Sequence, residues 1–184
     1  MMLTPLRKAG LALALAVFLL DRGTKLLMTH VLQLQYYEVY DLLPFFDLLW
    51  TQNYGVSLGM FTATSLETRL ALIAMTGVIS IGVFVWMLRE KARGDVLALA
   101  TVLGGALGNI WDRISRGYVI DFADLHFGEF RPFLIFNVAD AAITIGVLIL
   151  LARALLLREK PVTSEDANAA ADQANADAPA TEKA

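Results

Sequence analysis

The run from Leu70 to Leu88, "LALIAMTGVISIGVFVWML", contains 19 consecutive residues without a charge. Wound as an α-helix at ~1.5 Å per residue it spans about 28 Å, close to the ~30 Å thickness of a bilayer's hydrocarbon core. Val96–Trp111 is a second, slightly shorter uncharged run, and Phe133–Ala152 is a third, interrupted only by Asn137 and Asp140. A fourth begins near Ala9 and reads "AGLALALAVFLLDRGTKLLM", with Asp21, Arg22 and Lys25 embedded in it. The chain as a whole is 57% hydrophobic with a mean hydropathy of +0.58. Such a composition belongs with membrane proteins rather than soluble domains. The absence of cysteine removes disulfides, thiolate metal sites and a cysteine nucleophile.

Arg7 and Lys8 precede the first apolar run as they would in a secretory signal, but no small-x-small cleavage site follows, so an uncleaved helix is expected. Basic residues fall at Arg7 and Lys8, at Arg89, Lys91 and Arg93, and at Arg153, Arg158 and Lys160. In a four-span chain these places share one side. By the positive-inside rule that side is cytoplasmic, with both termini inside. Two longer loops, about His30–Glu67 and Asp112–Pro132, then face outward. The first alternates Leu32, Leu34 and Tyr36 with polar residues and carries Phe45, Phe46 and Trp50. This pattern predicts a strand-containing cap with aromatics at the headgroup level. The expected fold is an all-α integral membrane protein of four transmembrane helices with a small β-rich extracytoplasmic cap. Residues 1–160 form the membrane domain.

Residues 161–184 read as a disordered, acidic, Ala-rich tail. The tail takes five of the 18 acids and one of the 15 bases, which leaves 13 acids and 14 bases in a nearly neutral body. Nothing in the charge pattern points to a nucleic-acid partner.

Within this apolar chain "GNIWDRISRGYVIDFAD", Gly108–Asp124, concentrates three carboxylates and two guanidiniums. Asn109, Asp112 and Arg113 stand at i, i+3 and i+4 and share a helical face. Gly104 and Gly108 make a small-xxx-small surface suited to close helix packing. Gly117 is placed to end the helix, and "YVID" reads as an extended segment delivering Asp121. The fourth run opens with "FNVAD", which puts Asn137 and Asp140 one turn apart. Asp21 and Lys25 form a favourable i, i+4 ion pair.

Ionisable groups at membrane depth usually face a bundle interior or a wet cavity. A purely structural reading suits Asp112, since Arg113 and Arg116 offer partners; it suits Asp140 poorly, since no basic residue lies within four positions. Two carboxylates brought together share a proton. Such a pair can hydrolyse an amide, one member activating water while the other protonates the carbonyl oxygen.

Competing chemistries fit less well. His30 and His126 lack a clear serine partner, and no zinc signature is present. A magnesium site on Asp112, Asp121, Asp124 and Asp140 would lack the second tight acidic cluster and the phosphate loop. A proton-linked transporter using Asp140 would lack broken helices and a repeat.

These residues carry a resemblance. "GGALGNIWDRISRGYVIDF" followed by "FNVADAAITIG", with "DRGTK" and "NYGVSLGMF" upstream, closely resembles lipoprotein signal peptidase (signal peptidase II) of bacterial inner membranes. The resemblance runs from about Asp21 to Gly146. It implies an aspartic endopeptidase that removes signal peptides from diacylglyceryl-modified prolipoproteins, cutting on the N-terminal side of the lipidated cysteine. It places the catalytic pair at Asp121 and Asp140, with Asn109, Arg113 and Asn137 in support and Asn53, Asp21 and Lys25 among the polar residues shared in the family. Asp112 becomes a structural acid, and Asp124 is read as solvated.

The resemblance further implies no cofactor and no metal, membrane lipids as surroundings, cyclic peptide inhibitors of the globomycin type, and a monomer. The chain departs from the pattern at two places: Arg22 stands where many members have Gln, and Ala141 where Ser commonly follows the second aspartate.

Overall fold

The structure is a computed structural model that describes residues 3–37, 39–56, 61–62 and 65–156. Four long helices carry it: α1 (Pro5–Leu26), α2 (Leu66–Arg89), α3 (Arg93–Ser115) and α4 (Val138–Leu156). Strands β1 (Tyr40–Leu43), β2 (Phe46–Asn53), β3 (Gly55–Val56) and β4 (Phe61–Thr62) lie between α1 and α2, and β5 (Val119–Leu125) lies between α3 and α4. The compact unit is Met1–Ala152. Of the remainder only Arg153–Leu156, the last turn of α4, is described, so the expected tail lies outside the described residues.

Each helix starts and stops for a local reason. Thr4 caps α1 by accepting from Arg7 N, with Pro5 at the first helical position, where its missing N–H costs nothing. Ser65 caps α2 in the same way, accepting from Thr68 N at 3.2 Å. The short link between α2 and α3 is held by Glu90, whose Oε1 accepts from Lys91 N and Ala92 N. At the far end of α3, Gly117 takes φ +89° and its N–H reaches Arg113 O, as the sequence predicts.

Three of the described helices, α2, α3 and α4, are long and apolar enough to cross a membrane. The helix α1 matches them in length but carries Arg7, Lys8, Asp21, Arg22 and Lys25. The three also differ in kind. α2 and α4 keep most of their side chains outside the protein and are apolar all round. α3 is half buried and rich in small residues, because it is the helix on which the others pack.

Glycine sets how closely they pack. A Cβ on Gly104 would lie 2.5 Å from Ala14 O of α1, and one on Gly105 would lie 2.5 Å from Ala139 O of α4. Gly146 of α4 answers from the other side, against Ala98 O. The Gly104/Gly108 surface read from the sequence thus receives α1, and Gly105 with Gly146 adds a second seam. A core of Ala14, Met87, Val96, Leu99, Ala100 and Leu103 fills the opposite end of the bundle.

The strands form a three-stranded antiparallel sheet ordered β1-β2-β5 and a separate β3-β4 pair. β5 is buried almost throughout, enclosed by β2 on one edge and by Phe136, which bridges to Ala123, on the other.

Two expectations need correcting. Leu32–Tyr36 is not a strand: the chain leaves α1 through a π-helical turn, Leu27–Val31, and a short 3-10 turn, Leu34–Tyr36. Leu34 alone of the alternating residues is buried, in the core beneath the sheet. Nor does the fourth expected span form a helix from Phe133. Residues 133–137 approach as an irregular segment whose Phe136 backbone bonds to β5, and α4 begins only at Val138.

The two kinds of glycine predict opposite outcomes. Gly105→Ala should destabilise the protein by about 1–3 kcal/mol, since the methyl group meets backbone that cannot step aside. Gly77→Ala, with open space around it, should be neutral or stabilise by up to ~1 kcal/mol through helix propensity. Thermal unfolding in detergent checks both; equal effects would mean that α3 and α4 are not in this close contact.

Candidate active site

The site begins at the first turn of α4. Asn137 Oδ1 accepts from Asp140 N at 2.9 Å, and Asp140 Oδ2 accepts from Asn137 N at 3.3 Å. This is a reciprocal cap of the capping-box kind, with Asn and Asp in place of the usual Ser and Glu. It fixes Asp140 where an unpaired helical carboxylate would otherwise be free to turn.

Asp140 Oδ1 then accepts from Asn109 Nδ2 of α3 at 2.7 Å. Asn137 Nδ2 donates to Asp121 Oδ1 of β5 at 2.6 Å, and Asn53 Nδ2 of β2 donates to Asp121 Oδ2 at 2.9 Å. Asn109 Oδ1 lies 3.3 Å from both Asn137 Nδ2 and Lys25 Nζ. The orientation of Asn109 is therefore dictated: an ammonium offers only donors, so the amide oxygen faces Lys25 and the amide nitrogen faces Asp140. Two carboxylates from separate elements are tied into one line of amides.

Asp121 also senses the charge of Asp140. The Asp121 carboxyl is pushed up to about 6, chiefly by burial and next by the negative charge of Asp140; the amides of Asn53 and Asn137 and the ammonium of Lys25 pull it back. Asp121 is 2% exposed, while Asp140 opens onto a recess of about 250 Å³. Phe133, Phe136, Ala141, Thr144 and Ile145 line that recess, so a largely apolar ligand can reach the carboxylate.

Behind the pair lies a second cluster. Lys25 is fully enclosed, with Nζ 2.9 Å from Asp21 Oδ2 and 2.8 Å from Asp112 Oδ2. Asp112 Oδ1 also receives Arg22 at 2.5 Å and Arg116 at 3.0 Å. Asp21 Oδ1 accepts from Ala139 N, one residue before Asp140. Asp112 is thus saturated by cations.

The sequence offered Arg113 and Arg116 as partners of Asp112. Arg116 takes that place, but Arg113 does not. It lies within electrostatic reach of Asp140, Asp121 and Asp112, while its buried Nε has no hydrogen-bond partner.

Among the described residues no group of three His, Cys, Asp or Glu side chains is placed to hold a metal ion. Asp124 is not solvated as expected. It is 2% exposed on β5 and paired with Arg131 Nε at 2.9 Å. Its partner stands seven residues on, across a non-helical turn, so local periodicity carries no signal for it. The same holds for Asp47, whose Oδ2 lies 3.0 Å from His126 Nε2 across the β2-β5 edge. The Asn137/Asp140 cap, in contrast, was visible as an Asn-x-x-Asp spacing before an apolar run.

The model of signal peptidase (SPase) II matches residues 13–156, most of the chain and both carboxylates. The chain belongs to the signal peptidase II family. It is an aspartic peptidase of that family. Among its relatives, the lipoprotein signal peptidase of Sphingopyxis alaskensis is 56% identical over 157 residues, 85% of this chain and 91% of that one. That of Rhizorhabdus wittichii is 51% identical over 163 residues, 89% and 95% of the two chains. Two solved bacterial membrane enzymes, determined by the in meso method at 2.3 and 1.9 Å resolution, share the fold with TM-scores of 0.69 and 0.68. They are 25% and 26% identical, cover 85% and 83% of this chain, and are each matched over 95% of their own length. At these identities the family's fold extends over the same residues that hold the two aspartates.

The Asn53 bond to Asp121 yields a direct test. That donor favours the ionised carboxylate, so removing it raises the affinity for a proton. In Asn53→Ala the titration midpoint of Asp121, followed by carboxyl-carbon NMR, should move above about 6. A midpoint that stays or falls would show that Asn53 does not bond the ionised form.

Proposed function

We propose that this peptidase removes the signal peptide from diacylglyceryl-modified prolipoproteins, cutting on the N-terminal side of the lipidated cysteine, with Asp121 and Asp140 as its catalytic pair. The observation that carries this reading is the shared amide line. It joins two carboxylates from β5 and α4 beside an apolar recess and leaves one of them with a raised proton affinity.

In the resting pair one proton is held between two acids. The ionised carboxylate takes a proton from water as the oxygen adds to the scissile carbonyl carbon. The protonated carboxyl gives its proton to the carbonyl oxygen, so a neutral tetrahedral diol forms. The diol collapses as its hydroxyl proton returns to the pair and the C–N bond breaks. The leaving nitrogen, that of the lipidated cysteine, receives the other proton and becomes a free amine. Asn53, Asn109 and Asn137 hold the carboxylates through this exchange. Arg113, with a donor unspent and the pair in reach, is suited to a substrate carbonyl. Asp21, Lys25 and Asp112 hold α1, α3 and α4 in register behind the pair.

The membrane setting fits the chemistry. In this reading α1 is a fourth span, buried enough at its charged end to tolerate Asp21 and Lys25. Arg7, Lys8, Arg89, Lys91 and Arg93 lie at the opposite end of the helices from Asp21, Asp112 and Asp140, so the positive-inside rule puts the aspartates toward the outer leaflet of the bacterial inner membrane. There the pair meets a scissile bond beside acyl chains that stay in the bilayer. The sheet is then an extracytoplasmic cap, in which Phe45, Phe46 and Trp50 are placed to cover bound lipid; Met60 and the Phe61 side chain lie outside the described residues. Residues 1–160 act as a monomeric peptidase domain without cofactor or metal, and residues 161–184 are an appendage. Cyclic peptides of the globomycin type would occupy the recess at Asp140.

The deciding experiment is cleavage of a diacylglyceryl-modified prolipoprotein by purified wild type, Asp121→Asn and Asp140→Asn, each with and without EDTA. Each substitution keeps the side-chain shape and removes the acid. Both variants should lose at least about a hundredfold in kcat, the scale of general acid–base catalysis, and EDTA should leave wild type unchanged. A variant that cleaves normally removes that residue from the pair, and loss of wild-type activity in EDTA reopens a metal mechanism.

A further inference from the structure

α1 and α2 both pack on α3 but touch each other little, and one face of α3 is left between them. The result is a groove of about 590 Å³, inside the roughly 300–1,000 Å³ range of small-ligand sites. Leu103, Leu107 and Trp111 form its floor, Leu11 and Phe18 one wall, and Phe84 the other. It shares no lining residue with the recess at Asp140.

Its chemistry is one-sided. Ser80 brings the only hydroxyl, and that is already spent on Thr76 O at 2.8 Å. The floor from Leu103 to Ile114 runs about 16 Å along the helix axis. A long, narrow, apolar groove that opens sideways from a membrane helix accommodates a hydrocarbon chain.

The Trp111 end is different. Arg22 lies over the Trp111 ring, Cζ 5.9 Å from its centroid, and Phe18 packs edge-on against the same ring. Arg22 and Arg116 converge on a single oxygen of Asp112, and both arginine side chains keep some exposure, 14% and 22%. The cluster sets three cations, Arg22, Lys25 and Arg116, against two carboxylates, Asp21 and Asp112. One positive charge is left over, and the part of the cluster that reaches solvent belongs to the two arginines. A guanidinium binds phosphate well, with paired donors matched to its oxygens.

We propose that this groove is a binding site for an anionic glycerophospholipid of the membrane, with one acyl chain along α3 between α1 and α2 and the phosphate at Arg22 and Arg116. The site lies outside the proposed cleavage chemistry and rests only on the membrane location of the apolar helices. A bound lipid would fill the gap that α1 and α2 leave and would cover the apolar floor that Leu107 and Trp111 expose.

The test is native mass spectrometry of the full chain purified from detergent containing equal phosphatidylglycerol and phosphatidylcholine. Wild type should retain one lipid per chain and prefer phosphatidylglycerol by at least about fivefold, the scale of one basic residue acting on an anionic lipid. Leu107→Trp, which fills the groove, should cut retention at least fivefold while cleavage at saturating substrate persists. Arg22→Gln combined with Arg116→Gln, read on retained lipid alone, should bring the two lipids to near parity.

Equal retention of both lipids by wild type would overturn the proposal without reference to any variant. So would undiminished retention by Leu107→Trp. If Leu107→Trp instead raises KM for the lipidated prolipoprotein several-fold, and that substrate displaces the lipid from wild type, the groove belongs to the substrate and the proposal fails. The catalytic pair stands in each of these cases.

Discussion

Everything polar in this bundle depends on one enclosed ammonium. Lys25 sits with no solvent contact between Asp21 and Asp112 and touches Asn109, so α1 and α3 meet through charge at this end of an otherwise largely apolar contact. Breaking a buried pair by removing one partner typically costs several kcal/mol, because a charge is then left without compensation. Here Lys25 serves two carboxylates, and each carboxylate has further work. Asp21 accepts from Ala139 N at the start of α4, and Asp112 accepts from Ile120 N at the start of β5. The two backbone segments that deliver Asp140 and Asp121 are thereby held from behind by the same cation. The position of each proposed catalyst is set one residue away from itself.

Close approach is what makes that arrangement possible. A side chain on Gly108 would collide with the Asp21 carboxylate, and side chains on Gly104 and Gly105 would collide with the backbones of α1 and α4. Small residues on α3 let the charged groups of three helices converge, and in an apolar medium convergence is the condition for carrying them at all. The division of labour among the helices follows. α2 and α4 can be apolar all round because they face outward. α3 must be small and polar along one edge, because it faces neighbours on most sides.

Much of this was written in the sequence. The uncharged runs gave α2 and α3 to within a turn or so, Gly117 ended α3, and the Asp21–Lys25 pair formed as its spacing required. The convergence of Asn109, Asn137, Asp121 and Asp140 was legible because three of the four lie near the ends of apolar runs. What failed was the reading of short segments in isolation. Leu32–Tyr36 alternates like a strand, yet it follows directly from a helix and is used to turn the chain, so tertiary context prevailed over period. Phe133–Phe136 has the composition of a span but is drawn off to pair with β5, and the Asn137 cap then fixes where the helix starts. Asp124 looked like a surface acid because its partner, Arg131, arrives through a turn that no periodic pattern encodes.

The reciprocal cap on Asn137 and Asp140 has a consequence for how the protein comes into being. Asp140 is the last element of the site in chain order, and its place is made by the first turn of α4. A nascent chain emerging as far as β5 has Asp121, Asn109 and the whole Lys25 cluster, but no second carboxylate and no Asn137 to bridge to it. On the proposed dyad, such a chain is inert. On that reading hydrolytic competence arrives only when α4 docks against Gly105.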